Sequence, residues 1–508
     1  MKIFKYTGKI LRWLGKIIKL PDKPEFITTW KTDNVGSDTS IGIPTIGSGY
    51  DCSINWGDGS IGHYTGSPGI IVHNYAKAST YTVKIWGDFP RIYFNYGSDR
   101  KKLLQINNWG NISWSSMAAA FYGCENMTGT YLDEPDLSNI TDMSYMFAAC
   151  SLFNSEVNTF NVSAVQNMSG LFYLSSSFNK SVSNWNTSSA TNMSAMFQYC
   201  SAFSYPVSNF NTSNVTNMAA MLATTFFNQE VYNFDTANVT NMSGMFQGDF
   251  AFNYSVSNFN TANVSDMSYM FQLCSSFNQS VANFDTSNVT TMRSMFDNCA
   301  DFNQDVSNFV TTKVTTMRNM FSNCTNFNQS LAIFNVTNVT DMTEMLKGAN
   351  SWSTANYDET LISWATQSVK SNVPFHAGDA QYSGGAPTIA RNILTGTYNW
   401  TITDGGQVPL FSFVTNASTN PFDPSIGISS GILHWNLGDS STDVSANSFR
   451  HTYASAGNKT VVVRPGSMDM SSLIEIDMDN DDLVGTLDIS GLTGLGGYFN
   501  VGGNTNLT

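Results

Sequence analysis

Ten methionines fix what this chain can fold into. Met117, Met143, Met168, Met193, Met218, Met242, Met267, Met292, Met317 and Met342 recur at intervals of 26, 25, 25, 25, 24, 25, 25, 25 and 25 residues. A period of this length means one small unit stacked on copies of itself, because a single copy cannot bury its own apolar side. A clean copy is SVANFDTSNVTTMRSMFDNCADFNQ, Ser280 to Gln304.

Within the unit, Val289, Met292, Met295, Phe296 and Cys299 fall at helical spacing and predict one apolar stripe on a short helix. Val281 and Phe284 predict a short extended segment before it, and Thr286-Ser287-Asn288 supplies turn and N-cap chemistry between them. Phe302 closes the loop. The expected coil is therefore strand, turn, helix, turn, and the expected fold class is mixed. It is a right-handed, leucine-rich-repeat-like strand/helix solenoid over residues 101–346, flanked by β-sandwich domains. Its core ladders are Met267, Met292 and Met317, then Phe271, Phe296 and Phe321, then Cys274, Cys299 and Cys324.

Cys124, Cys150 and Cys200 share the position of those last three, and Ser175, Thr225 and Asp249 take it in other coils. That exchange reads as a ladder of small buried side chains. Disulfides between coils would break the regular stack, and no His accompanies the cysteines for metal ligation. Asn214, Asn238, Asn263, Asn288 and Asn338 repeat in register, as do asparagines after the closing Phe, such as Asn154, Asn179, Asn253 and Asn278. Two readings stand for these rows: amides that satisfy backbone groups at each turn, and a polar face that grips glycan. Asp235 and Asp285 share a position with Asn161, Asn186, Asn211 and Asn260, which favours a structural role over catalysis.

The unit NVTTMRSMFDNCADFNQDVSNF closely resembles the BspA-like leucine-rich repeats of bacterial surface proteins, and more narrowly the 25-residue class of mycoplasma lipoproteins. The resemblance covers about half the chain. It implies a surface-exposed adhesion or interaction protein. Neither a signal peptide nor a lipobox is read at the start of the chain.

The flanks carry their own signals. Residues 1–25 predict an amphipathic anchor helix: Ile10, Leu11, Leu14, Ile17 and Ile18 make one apolar face, and Pro21 and Pro24 end it. Its lysines interrupt the run too often for a membrane span. An interfacial helix and a helix that docks into a larger assembly both fit. Residues 26–100 predict a β-sandwich. Ser53 to Asn55 runs into a turn at Trp56, Gly57, Asp58 and Gly59, followed by His73-Asn74-Tyr75 and Tyr81 to Ile85. This combination resembles the PKD-type immunoglobulin-like domain, with the Asp58 carboxylate capping the turn. Residues 347–406 predict a helical cap with helices near Asn356–Ala365 and Ala386–Leu394, residues 407–470 a second, looser PKD-like sandwich, and residues 471–508 the start of a further repeat-like segment.

Charged residues are only 12% of the chain, against about 25% in ordinary domains. Residues 1–23 carry a net +6, which leaves −20 on the rest and disfavours nucleic acid as a partner. The five histidines form no HExxH or Cys/His metal spacing, and no P-loop or G-x-S-x-G occurs. Asp477, Asp479, Asn480, Asp481 and Asp482 form the densest acidic cluster, whose oxygens would suit calcium although the spacing is not that of an EF-hand. No catalytic, cofactor or metal residue is assigned. The expected function is non-enzymatic binding or adhesion. The chain is read as a bacteriophage virion fibre or decoration protein, held by other virion proteins through its N-terminus and touching host glycan or surface protein through the solenoid. A bacterial cell-surface adhesin is the alternative, and a polysaccharide depolymerase a further one.

Overall fold

The computed structural model describes residues 25–34 and 38–409 with their side chains, and backbone strands alone on either side of them. The chain forms two compact units, Met1–Gln304 and Asp305–Thr508, each taken here by itself.

In the first unit, β1 (Ile10–Trp13) pairs antiparallel with β2 (Lys16–Lys19), Ile10 opposite Lys19 and Leu11 opposite Ile18. This corrects the anchor helix. Ile10, Leu11, Ile17 and Ile18 lie on paired strands, and Leu14 lies outside the described residues. Ile and Trp favour extended backbone, and Gly15, between the strands in sequence, penalises a helix interior by about 1 kcal/mol.

The strands that follow are β3 (Phe26–Lys31), β4 (Ser40–Pro44), β5 (Tyr50–Asn55), β6 (Ile61–Gly66), β7 (Ile70–Asn74), β8 (Thr80–Asp88), β9 (Leu103–Asn108) and β10 (Thr128–Gly129). They make a six-stranded sheet in the order β10-β9-β3-β8-β5-β6 and a separate pair, β4-β7. Strand β3 shows why it forms: Phe26, Thr28 and Trp30 are buried while Ile27, Thr29 and Lys31 between them are partly exposed. Only β9 and β10 pair in parallel, Gln105 opposite Thr128, and there the sheet hands over to the repeat.

The repeat is built from turns. In the coil around Met292, i+3→i hydrogen bonds run from Phe284 N to Val281 O (3.0 Å), Val289 N to Thr286 O (3.0 Å) and Met295 N to Met292 O (3.2 Å). They continue from Cys299 N to Phe296 O (2.9 Å) and Phe302 N to Cys299 O (3.1 Å). Between coils the backbone alternates. Met168, Gly170, Phe172 and Leu174 donate to Asn192, Ser194, Met196 and Gln198 of the next coil at 2.8–2.9 Å, while Leu171, Tyr173 and Ser175 close turns on Met168, Gly170 and Phe172. Every second N–H holds the neighbour and the others hold the turn, so the backbone is satisfied without a helix. Single parallel bridges run Asp142–Asn167–Asn192–Asn217–Asn241–Asp266–Thr291.

This overturns the strand/helix solenoid. The protein is β-rich, with two α-helices among the described residues, both outside the repeat, and no strand in the described coils after β10. The helical spacing of the apolar residues has another cause: a β-turn also brings residues i and i+3 together. The backbone conformation excludes the helix. Ser294 and Asn298 have φ of 52° and 62°, and the same two positions are left-handed in the coils of Met143, Met193 and Met267. A positive φ at the third position of a turn is what a type II turn requires. The sandwich-flanked description falls with the solenoid: the N-terminal flank is a mixed six-stranded sheet plus a two-stranded pair.

In the second unit, the coils of Met317 and Met342 are joined by Met317 N to Asp341 O (2.9 Å) and Phe321 N to Met345 O (2.8 Å). Helix α1 (Thr354–Ala365) is capped by Ser353. Its Trp364 indole donates to Leu331 O (3.2 Å). Strand β11 (Pro374–His376) supplies the next rung, accepting from Met342 N and Leu346 N at 3.0 Å. Helix α2 (Ala386–Asn392) starts with Pro at its first turn and leads to β12 (Thr401–Thr403), which runs parallel to β11. Both helices fall where the sequence placed them.

Beyond them lie β13 (Phe411–Ala417), β14 (Ser425–Ile428), β15 (Leu433–Asn436), β16 (Val444–Ser445), β17 (Gly457–Pro465), β18 (Leu473–Asp477), β19 (Leu483–Asp488), β20 (Tyr498–Asn500) and β21 (Asn506–Leu507). They form a six-stranded sheet, β16-β15-β17-β13-β19-β21, and a three-stranded one, β14-β18-β20. Asp477 ends β18, and Asp479, Asn480, Asp481 and Asp482 lie outside the described residues.

Candidate functional site

Every inward position of the turns is spent on structure. Met267, Met292, Phe271, Phe296, Cys274 and Cys299 in the first unit, and Met317, Phe321 and Cys324 in the second, are all 0% exposed. Phe147, Phe172 and Phe197 stack at 5.7–5.8 Å across successive coils, and Phe178 lies 3.8 Å from Phe172 within one coil. The cysteines are free and buried. The thiols of Cys150, Cys200, Cys274 and Cys299 each donate to a Phe carbonyl of the preceding coil, at 2.8–3.1 Å. Burial pushes the Cys150 and Cys200 thiols up, so they stay protonated donors.

The polar rows are structural too. Asn214, Asn238 and Asn263 donate to Ser188 O, Ser213 O and Ala237 O of the preceding coil at 2.7–2.8 Å. Asn154, Asn253 and Asn278 accept from the N–H of Asn179, Asn278 and Asn303 one coil on, each at 3.0 Å. Asn211, Asp235 and Asp285 cap their own turns, accepting from Ser213 N, Ala237 N and Ser287 N. A further row escaped the sequence reading: buried Thr187, Thr212, Thr236 and Thr261 donate to Asn211 O, Asp235 O, Asn260 O and Asp285 O of the next coil at 2.8–2.9 Å.

The Trp56 turn is likewise a fixed corner. Asp58 Oδ1 accepts from Ser60 N (2.9 Å) and Ser60 Oγ (2.6 Å), and its Oδ2 lies 2.8 Å from His73 Nε2. Burial works to raise this carboxyl, but the hydrogen bonds from Ser60 and His73 outweigh it and hold it down at about 2. Trp56 stacks on His73 at 4.8 Å, and Gly59 takes a φ of 95° that its lack of a side chain permits.

What remains is the outward side of the Met turns. Each of the first coils places one tyrosine among the second, fifth and sixth residues after its Met: Tyr145 at the second, Tyr122 and Tyr173 at the fifth, and Tyr199 at the sixth. Tyr96, Tyr122, Tyr145, Tyr173 and Tyr199 form a row with ring centroids 5.1, 5.7, 6.3 and 6.0 Å apart. Tyr122, Tyr145 and Tyr173 line an open cleft of about 420 Å³ together with Asn95, Ala119, Ala195 and Gln198. Tyr145 and Tyr199 are exposed at 38% and 42%. Gly170 makes room for this arrangement, because a Cβ there would collide with the Tyr145 ring. Burial, helped by Tyr173, Tyr96 and Tyr145, raises the Tyr122 phenol, so it is a neutral hydrogen-bond donor at physiological pH. Farther along, Gln272 Nε2 donates to Asp297 Oδ2 (2.8 Å) and Gln247 Nε2 to Gln272 Oε1 (2.5 Å), continuing the outward row in amides.

No sequence argument singled out these tyrosines. At 3.6 residues per turn a helix would also have put positions two, five and six on one side, opposite the Met. What hid the row is that each coil gives it a single tyrosine, at the second position in one coil and the fifth or sixth in another.

Stacked turns with a nearly uniform interior and a variable, partly aromatic outer row define the class: a β-rich repeat protein that presents an extended surface. Residues 115–229, 222–324 and 303–380 match the family model described as Mycoplasma protein of unknown function, DUF285. These matches span more than half of the 508 residues, and the chain belongs to that family. The match agrees with the mycoplasma-type resemblance of the 25-residue unit. No curated protein and no solved structure matches the chain.

Proposed function

We propose that this is a non-enzymatic binding protein, displayed on an exterior surface, that holds its ligand on the outward row of its turns. One observation carries the reading: the tyrosine cleft is open, aromatic and lined by no charged side chain, while the positions beneath it are consumed by the fold. Its residues offer stacking surface and neutral hydrogen bonds, the equipment of recognition. General acid–base work calls for a group that titrates near the operating pH and can reach substrate. Asp249 has such a pKa, about 8, but it is 1% exposed.

Display on a virion, attached through the N-terminal end and facing host glycan or surface protein, is the favoured setting; the +6 charge of residues 1–23 supports attachment through that end. A bacterial cell exterior is the alternative. Mass spectrometry separates them: peptides at stable copy number in purified virions support the first, and peptides confined to washed envelopes the second.

Function is tested by capture of washed bacterial envelopes on the immobilised full chain. Retention that falls in a Tyr145→Ala, Tyr173→Ala double variant supports the proposal. Equal retention by the variant, or release of reducing sugar from the envelopes by the native chain, overturns it.

A further inference from the structure

The ligand's chemistry can be narrowed from the cleft, on the assumption that the binding reading above holds. We infer that the row from Tyr122 to Tyr199 binds an uncharged saccharide chain laid across the coils, with about one sugar ring per coil.

Three features lead there. The first is spacing. Successive tyrosine rings from Tyr122 to Tyr199 stand 5.7–6.3 Å apart, comparable to one pyranose residue in an extended chain; Tyr96, at the end of the row, carries the Arg100 guanidinium over its ring. A proline-rich peptide, another polymer that aromatic grooves take, presents the same face only every third residue, about 9 Å apart. That repeat does not match the coils.

The second is charge. None of the residues lining the cleft is ionised. Asn95 and Gln198 offer amides, and Tyr122, Tyr145 and Tyr173 add phenol groups. This set suits hydroxyls, which both donate and accept, and offers no cation to a phosphate, sulfate or uronate.

The third is preparation. Tyr145 and Tyr173 occupy their places on turns whose backbone bonds are complete, with the Tyr145 ring over Gly170 and its own backbone held at φ 53°. Aromatic surface ordered in advance lowers the entropy lost on binding.

The test is calorimetric titration of the full chain with neutral β-linked glucose and N-acetylglucosamine oligosaccharides of increasing length. Affinity should rise with each added sugar until the tyrosine row is spanned, then level off. Tyr145→Ala and Tyr173→Ala should each weaken binding roughly tenfold at an unchanged melting temperature. Gly170→Ala, which keeps every tyrosine but displaces the Tyr145 ring, should weaken binding as well.

Absence of binding to the whole series at millimolar concentration, or equal affinity in the tyrosine variants, overturns the inference. So does envelope capture that needs Tyr145 yet survives periodate oxidation of the envelope sugars, or Tyr145-dependent binding of a proline-rich peptide. Those last two results leave the binding function standing and replace its ligand. Loss of envelope capture by the native chain would instead remove the function itself.

Discussion

The two sides of one turn behave differently. On the inward side, the Met, Met, Phe and Cys positions hold nearly the same residues from coil to coil, at zero exposure. On the outward side, the position two residues after Met is Ala119, Tyr145, Gly170, Ala195, Ala220, Gly244, Tyr269 and Ser294 in successive coils. Both sides share one backbone, so local conformation does not explain the contrast. Stacking does. An inward side chain must match its neighbours above and below, whereas an outward one need only tolerate a left-handed backbone. A repeat of this kind separates the residues that hold it together from those that differ between surfaces, and the tyrosines belong to the second group.

The inward ladder should break hardest. Phe172 stacks on Phe147 and Phe197 and on Phe178 within its own coil, so Phe172→Ala removes three-way packing at a fully buried site. A loss of about 3–5 kcal/mol is expected in urea denaturation, against less than about 0.5 kcal/mol for the exposed Tyr199→Ser. Similar losses at the two sites would erase the distinction between the sides.

The ladder has one natural flaw. Around Met218 the coil is one residue short, Leu222 stands at the Phe position, and Thr225 and then Asp249 stand at the Cys position. Asp249 Oδ1 accepts from Thr225 N and Oγ1, but its buried Oδ2 lacks a partner. Burial pushes this carboxyl up to about 8, although the Thr225 hydrogen bonds pull the other way. The folded state therefore prefers Asp249 protonated, while the unfolded chain ionises near 3.8. Asp249 costs no stability below pH ~4, costs more as the pH climbs, and costs most above pH ~8. Asp249→Ser copies Ser175, whose hydroxyl accepts from Cys150 N and donates to Phe147 O. The variant should gain about 2–3 kcal/mol over the native chain at pH 8 and almost nothing at pH 4. A gap in melting temperature that does not change with pH would show that the buried carboxyl is not its cause.

The exposed amide row belongs to the structural side although it faces water. Asn263→Ala leaves Ala237 O without its 2.7 Å donor. Solvent can replace that bond, so the expected cost is about 0.5–1 kcal/mol, read from the same denaturation curves. A neutral result would move the amides to the variable group.

Much of this was legible in the sequence. The period fixed the stacking, and substitution of Cys by Ser, Thr and Asp exposed a small-residue ladder. Asn214, Asn238 and Asn263 announced an amide row, and the Trp56–Gly59 turn and the helices at 354 and 386 fell where their signals placed them. The conformation of the coil was not legible. Val289, Met292, Met295, Phe296 and Cys299 satisfy a helix and a chain of turns equally well, because both return a residue to the same side after three or four positions. The deciding facts are φ values at Ser294 and Asn298; Ser294 gives no sign of a left-handed backbone, and Asn298 only asparagine's modest preference for it, which the exchange of Tyr199 and Leu273 at the same position masks. The tyrosines stayed hidden for another reason: each coil contributes only one, at the second, fifth or sixth position after its Met, so no single repeat position reads as aromatic. The hairpin at Ile10–Lys19 was misread as the coil was: a short basic and apolar run fits either period.

Those left-handed positions give the most direct check on the turn backbone. Ala220 sits at φ 54°, where an L-residue is strained, and its place in the next coil is taken by Gly244 at φ 60°. Ala220→Gly relieves the strain but frees the unfolded chain, so the net expectation is a gain of about 0.5 kcal/mol. Gly248→Ala runs the other way. Its φ is 80°, and a new Cβ would come 2.9 Å from Thr224 Oγ1, so a loss of about 1–2 kcal/mol should follow. In a helix the signs would reverse, because glycine is then the costly residue at both sites. Measuring both variants by thermal melting therefore tests the backbone itself: a loss for Ala220→Gly with a gain for Gly248→Ala would restore the helix.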